Sequence, residues 1–298
     1  MMKHSKSVIS RIVKGFSAEK IKSLYSLSQG NINTVYSVRL ASDKEIILRV
    51  YNEAWKAKKE AFIYRMVRQK LEIPVPEVLY SDDSKEEFPF AYSIMGKLPG
   101  KQIDRIYGRK NIFEKAGECL GKLHTIHFGK FGWIVGNDVQ PAFRKWKDFF
   151  WHDINRKIER IREGIPQELP KIQRYFEENS GLLEISSKPC LLHKDYHPSH
   201  ILAGKGKITG ILDMEWAIAG HNENDFMKME AWAFPKHPRM RKPFFRGYSR
   251  YSSISSEYEE RKKFYGLWHR INMVSISAEI KNPIWLKQNR LALARFFT

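Results

Sequence analysis

The sequence predicts an α+β fold in two parts, a small antiparallel sheet with a helix over residues 1–95 and a larger, mainly helical part over residues 96–298. Three features carry this prediction. Alternating or β-branched apolar runs are concentrated in the first hundred residues, long helix-spaced patterns follow, and a Gly- and Pro-punctuated stretch, Gly96 to Gly100, separates them as a candidate linker. Taken in order, Ser17-Ala18-Glu19-Lys20 reads as the start of a short helix. NTVYSVRLA (33–41) and KEIILRVYN (44–52) read as paired strands turning at Ser42-Asp43-Lys44. Residues 53–71 lack Gly and Pro, and Ala61, Tyr64, Val67 and Leu71 recur near helical spacing until Pro74 and Pro76 forbid continuation. PEVLYSD (76–82) and PFAYSIMGKLPG (89–100) supply two more strands.

Beyond residue 100, helices are predicted over 111–126, 143–164 and about 168–180. They resume at about 223–234, 255–278 and 283–297. Between these groups, residues 189–220 break the pattern: short apolar runs flank Gly-rich and His-rich polar pieces, as in strand, loop, strand, turn, strand, loop. No internal repeat or low-complexity tract interrupts the chain. The aromatic run Trp146, Phe149, Phe150 and Trp151 reads mostly as helix core, with Trp232 and Phe234 better placed to line a site.

Composition excludes several classes. With 42% hydrophobic and 13% aromatic residues, the chain can bury a core, which sets aside disordered and collagen-like proteins. Cys119 and Cys190 are too far apart for a zinc pattern and too few for a disulfide scaffold, so a reducing compartment is expected. The opening MMKHSKSVISRIVKGF has no apolar h-region, and no run reaches the roughly 18 apolar residues of a membrane span. A cytoplasmic protein without a membrane partner is the expectation. Lys and Arg number 52 against 33 Asp and Glu, a charge of +19, which leaves nucleic acid, an anionic surface or a phosphate-bearing ligand open as partners.

Chemistry concentrates in His193-Lys194-Asp195-Tyr196-His197-Pro198-Ser199-His200, followed thirteen positions after His200 by Asp213, at the end of ITGILD. Asp195 alone would read as a turn residue. In register with His193, His200 and Asp213, on loops bounded by apolar strands, it fits phosphoryl transfer: a carboxylate orients the attacking hydroxyl while oxygen or nitrogen ligands hold a divalent ion on the phosphates.

HKDYHPSHIL followed by ITGILDMEWAIAG resembles the paired signatures of the aminoglycoside phosphotransferase and choline kinase superfamily, small-molecule relatives of protein kinases, with Glu215 and Trp216 also in place. The resemblance implies a bilobal protein-kinase-like fold, with a nucleotide-binding lobe at 1–95 and a catalytic and acceptor-binding lobe at 96–298. By position it makes Asp195 the catalytic carboxylate, Asp213 and His200 the metal ligands, and His193 a structural residue of the catalytic loop. His200 stands where Asn is usual, a variant similar to that of macrolide phosphotransferases. The implied metal is Mg2+ or Mn2+, and the implied donor is ATP or GTP.

The same resemblance places Gly30, in the loop 28–34, over the phosphates. Arg49 takes the position of the kinase strand lysine, and Glu60 is its ion-pair partner. Ser93 and Met95, in the run 92–96, lie at the purine hinge. Residues 227–298 hold 15 Lys and Arg against 5 Asp and Glu, so a neutral or anionic hydroxylated acceptor is expected in place of a polycation. Phosphorylation of a protein side chain is disfavoured, because no A-P-E type segment follows Asp213. The competing reading is a pseudokinase acting as a nucleotide- or RNA-binding module through its basic tail.

Overall fold

The structure, a computed structural model, describes residues 4–27, 33–105 and 110–297. In chain order the elements are α1 (Lys6–Phe16), β1 (Ile21–Ser26), β2 (Thr34–Leu40), β3 (Glu45–Val50), α2 (Ala54–Lys70), β4 (Val78–Asp82), β5 (Tyr92–Gly96), β6 (Lys101–Gln102) and α3 (Lys110–Leu123). Next come β7 (Phe131–Val135), β8 (Asp138–Phe143), α4 (Trp146–Ile161), α5 (Leu169–Glu178), β9 (Cys190–Leu192), β10 (Ile201–Gly204), β11 (Lys207–Ile211) and β12 (Ile218–Gly220). Helices α6 (Arg241–Tyr248), α7 (Tyr258–Glu279) and α8 (Pro283–Ala294) complete the series. No helix among the described residues is long and apolar enough to cross a membrane.

The chain forms two compact units, and neither is continuous in sequence. The first comprises Met1–Gly108 with Pro198–Trp216, the second Arg109–His197 with Ala217–Thr298. The stretch Gly96–Gly100 therefore lies inside the first unit, which also takes in the hairpin β10–β11.

In the first unit, an antiparallel sheet has the order β1-β2-β3-β5-β4. Strand alternation divides its residues between two faces. Tyr36, Val38, Leu40, Ile46, Leu48 and Val50 join Ile9, Ile12 and Val13 of α1 in one apolar cluster. By the same alternation Arg49 and Tyr51 point the other way, toward Glu60 of α2. The sequence reading placed a helix start at Ser17. Ser17 instead ends α1, whose own cap is Ser5 accepting from the Val8 N–H at 3.3 Å, and residues 17–20 are a bend. A second sheet, β11-β10-β6, carries the hairpin.

The second unit contains the sheet β8-β7-β12-β9 and the long helices. Its core is aromatic: Trp146 and Phe150 of α4 meet Trp268 of α7 at 5.4 and 4.9 Å, and Phe150 meets Phe176 of α5 at 5.0 Å. The polar end of Trp146 is satisfied by donation to the Tyr265 hydroxyl at 2.8 Å. Helices α3 and α6 approach so closely that a Cβ on Gly117 would lie 1.9 Å from the Phe244 carbonyl oxygen, and one on Gly247 1.9 Å from that of Glu114. Only glycine permits backbones to pack at that distance.

Candidate active site

Arg49 organises the site in the first unit. Strand β3 delivers it, side chain buried, to three carboxylates: Glu60 at 3.3 Å, Asp213 at 2.7 Å and Glu215 at 2.6 Å. Burial alone would lower the pKa of the guanidinium, but Asp213, Glu60 and Glu215 together override it and hold Arg49 protonated. Glu60, on α2, is fully buried and fully used. It accepts from the hydroxyls of Tyr51 at 2.6 Å and Tyr64 at 3.0 Å, and from the Met214 N–H at 3.1 Å. Burial raises its pKa against the opposing pull of Arg49.

Asp213 follows β11 with φ at +66°, a conformation that costs a non-glycine residue roughly 1–3 kcal/mol. Its N–H donates to the Tyr64 hydroxyl at 2.7 Å, which pins the strained turn to the same tyrosine that contacts Glu60. One Asp213 oxygen faces Arg49 and the other lies 3.4 Å from Nε2 of His200. Two ligand atoms on adjacent corners of an octahedron with bonds of about 2.1 Å stand roughly 3 Å apart, so this nitrogen and oxygen fit one small divalent ion. Lys56, whose ammonium is 3.7 Å from Glu215, and buried Lys59 offset that carboxylate's charge, and burial pushes the Glu215 pKa up to about 7.

Asp195 belongs to the second unit. Its loop leaves β9 through Lys194, which has φ at +66°. Asp225 holds that turn: its carboxylate accepts the N–H groups of His193 and Lys194, both at 2.6 Å, and contacts Nε2 of His124 at 3.2 Å. The Asp195 N–H donates to Nδ1 of His193 at 3.2 Å, closing the loop on itself. The Asp195 carboxylate meets the Lys228 ammonium and lies 3.5 Å from Nε2 of His197. Trp232 packs edge-on against His197 at 5.1 Å, whereas Phe234 is buried against Phe244 and Phe245.

Ser93 and Met95 both lie within β5, their backbones paired with β3 and β4. Ser93 is in register with Arg49 and shares a hydrogen bond with the Ser81 hydroxyl at 2.9 Å, while Met95 is opposite Ile47 and apart from the carboxylate cluster. Gly30 lies outside the described residues. Sequence reasoning passed over Asp225, Lys228 and Lys56. Asp225 sits in an Asn-Asp-Phe segment that reads as an ordinary polar turn, and an isolated lysine carries no signal at all.

The model of the phosphotransferase enzyme family (APH) matches residues 24–264, well over half of the chain. This chain belongs to that family. Membership makes it a phosphotransferase, an enzyme of the kinase class. Among curated relatives, the "probable ketoamine kinase" of Vibrio vulnificus is 25% identical over 262 residues, covering 83% of this chain and 84% of the relative. Among solved structures, the family member APH(4)-Ia in ternary complex with AMP-PNP and hygromycin B superimposes with a TM-score of 0.76 at 16% identity, covering 98% of each chain. The proposed fructosamine-3-kinase of Thermobifida fusca gives 0.72 at 14% identity, covering 98% of this chain and 100% of its own. At these identities the structural likeness establishes the kinase-like α+β fold that the sequence predicted.

Proposed function

We propose that this family member transfers the γ-phosphoryl group of ATP or GTP to a hydroxyl of a small neutral or anionic metabolite or an antibiotic. The observation that carries the reading is Asp213, held in a strained backbone with one oxygen on buried Arg49 and the other beside His200. The relative's ketoamine kinase name and the AMP-PNP of the ternary complex support a nucleotide donor and a small polyhydroxylated acceptor. In this reading residues 1–95 bind nucleotide, with Gly30 over the phosphates, Arg49 on them, Glu60 fixing Arg49, and Ser93 and Met95 toward the purine. Residues 96–298 bind the acceptor and carry catalysis.

The acceptor oxygen attacks the γ-phosphorus in line, the bond to the β,γ-bridging oxygen breaks, and the hydroxyl proton passes to Asp195, leaving phosphorylated acceptor and ADP or GDP. His193 and Asp225 keep the Asp195 loop in place. His200 and Asp213 would hold Mg2+ or Mn2+, which supplies neutralisation of phosphate charge. We place the reaction in the cytoplasm, where nucleotide is abundant and the free thiols Cys119 and Cys190 stay reduced.

The test is Asp195→Asn. Turnover falls by about 10²–10⁴-fold, the usual contribution of a positioned base, while nucleotide affinity measured by calorimetry stays within about twofold. Unchanged turnover would remove Asp195 from the mechanism. Nucleotide binding with no acceptor phosphorylated in a broad panel, together with RNA binding that weakens steeply with salt, would favour the pseudokinase reading.

A further inference from the structure

Within the first unit, the segment that leaves β5 is laid tightly against the hairpin β10–β11, whose two ends carry His200 and Asp213. Gly100 has φ at +112°, and a Cβ there would stand 2.3 Å from Oγ1 of Thr209 and 2.8 Å from the Ala203 carbonyl oxygen. Glycine alone permits that approach. The Thr209 hydroxyl donates to the Pro99 carbonyl oxygen at 2.5 Å, and β6 then adds to the edge of β10, with Gln102 opposite Leu202. The segment finishes on Ser199, the residue before His200. Nε2 of Gln102 donates to the Ser199 carbonyl oxygen at 2.8 Å, and the Ser199 hydroxyl donates to Oδ2 of Asp104 at 2.7 Å.

These contacts fall where the hairpin itself gives little support. His200 closes a single turn, Pro198–His200, that precedes the strand pairing of β10 with β11. The Leu212 N–H donates to the His200 carbonyl oxygen at 2.9 Å, which sets the separation of the two backbones next to Asp213. The direction of the imidazole depends in addition on the turn before it, and there Ser199 is tied through both its carbonyl and its side chain. The other Asp104 oxygen, Oδ1, is buried with no hydrogen-bond partner among the described residues. An unpaired buried oxygen of this kind costs stability, so Asp104 occupies a place that stability alone does not favour.

We propose that Gln102 and Asp104 are positioning residues for the divalent ion. Acting through Ser199, they aim His200 so that Nε2 stands 3.4 Å from the Asp213 carboxylate, ready to share one ion with it. Residues that orient a metal ligand in this way contribute roughly 10–100-fold to metal affinity. The assignment rests on the kinase reading, with His200 and Asp213 as ligands, and extends it to side chains that touch neither nucleotide nor ion.

The experiment measures ADP affinity of the full chain by calorimetry, once in EDTA and once in saturating Mn2+. Mn2+ should tighten ADP binding in the wild type, and His200→Ala should abolish that gain. Asp104→Ala and Ser199→Ala should each weaken ADP about tenfold in Mn2+ while leaving its affinity in EDTA within about twofold, which also reports folding. Asp104→Asn, whose amide oxygen still accepts from Ser199, should restore most of the loss. Gln102→Leu supplies an independent test should Asp104→Ala misfold. In a transfer assay with ATP, activity that Asp104→Ala loses at low Mn2+ should return as Mn2+ is raised, whereas a mere loss of folded enzyme would not be recovered. A full Mn2+ gain in folded Asp104→Ala and Ser199→Ala proteins, beside its loss in His200→Ala, overturns the positioning role alone. An undiminished gain in His200→Ala removes that residue from the ion and the positioning role with it. No gain in the wild type, with no acceptor phosphorylated, overturns the kinase reading.

Discussion

Replacing Arg49 by Met would expose how much of the first unit depends on one cation. The guanidinium lies 2.6–3.3 Å from Glu215, Asp213 and Glu60, and Glu60 and Glu215 are almost wholly buried. At an effective dielectric near 20, two unit charges 4 Å apart interact by about 4 kcal/mol. Breaking a buried pair by removing one partner costs a net 3–5 kcal/mol, because the surviving charge keeps its desolvation penalty. With Arg49 gone, Lys56 at 3.7 Å and the buried Lys59 still act on Glu215, whereas Glu60 loses its ion-pair partner.

We therefore expect Arg49→Met to lose about 3–5 kcal/mol in urea denaturation at pH 8. The loss should shrink in acid. A carboxyl whose folded pKa is raised above its unfolded value destabilises the fold while ionised, and that penalty disappears as pH falls through the folded value. Glu215 is already raised to about 7 and Glu60 is raised as well, so the deficit at pH 5.5 should be clearly smaller than at pH 8. A deficit under about 1 kcal/mol at pH 8, or one equally large at both pH values, would refute the argument.

Other predictions address the second unit. Gly117→Ala forces α3 and α6 apart and should cost about 1–3 kcal/mol or more by denaturation, whereas Gly129→Ala, with nothing within 4 Å of its added carbon, should change stability far less. His221 and His269 are held neutral, their pKa values lowered to about 3 by burial, with Arg261 adding to the effect at His221 and Lys228 at His269. The unfolded chain therefore binds protons that the fold refuses, and stability falls from pH 6.5 downward, by about 3 kcal/mol between pH 6.5 and 5 for the two together. In His221→Gln that acid loss should be roughly halved.

Much of the fold could be read from residue pattern, because the β2–β3 hairpin, α3, α4 and α7 have apolar periodicities that match their buried faces, and α2 is a run of helix formers without Gly or Pro, although Lys56, Lys59 and Glu60 share its buried surface. What escaped has physical reasons. Helix α1 is masked by the basic charge of the opening residues, although Ser5 followed by Val8, Ile9, Ile12 and Val13 is a capped amphipathic run. Strand β8 has one buried residue in six and includes Pro141, and α6 contains Pro243 and Gly247, so neither has a clean period. At the site, the motif from His193 to Asp213 was legible because its spacing is fixed. The supports of the Asp195 loop were not: Asp225 and Lys228 stand 30 and 33 residues further along the chain, and each alone resembles a solvated charge.

The discontinuity of the first unit has a consequence for biosynthesis. Arg49 finds its partner Asp213 across 164 residues of chain, and Glu60 receives the Met214 N–H across 154. During synthesis, two of the three carboxylates around Arg49 and the Met214 N–H that Glu60 accepts therefore exist only once residue 215 has been added. Severing the gene after Gly108 would freeze that immature condition, so complementation by two fragments should succeed only when the later piece brings its own Pro198–Trp216 back to the earlier one.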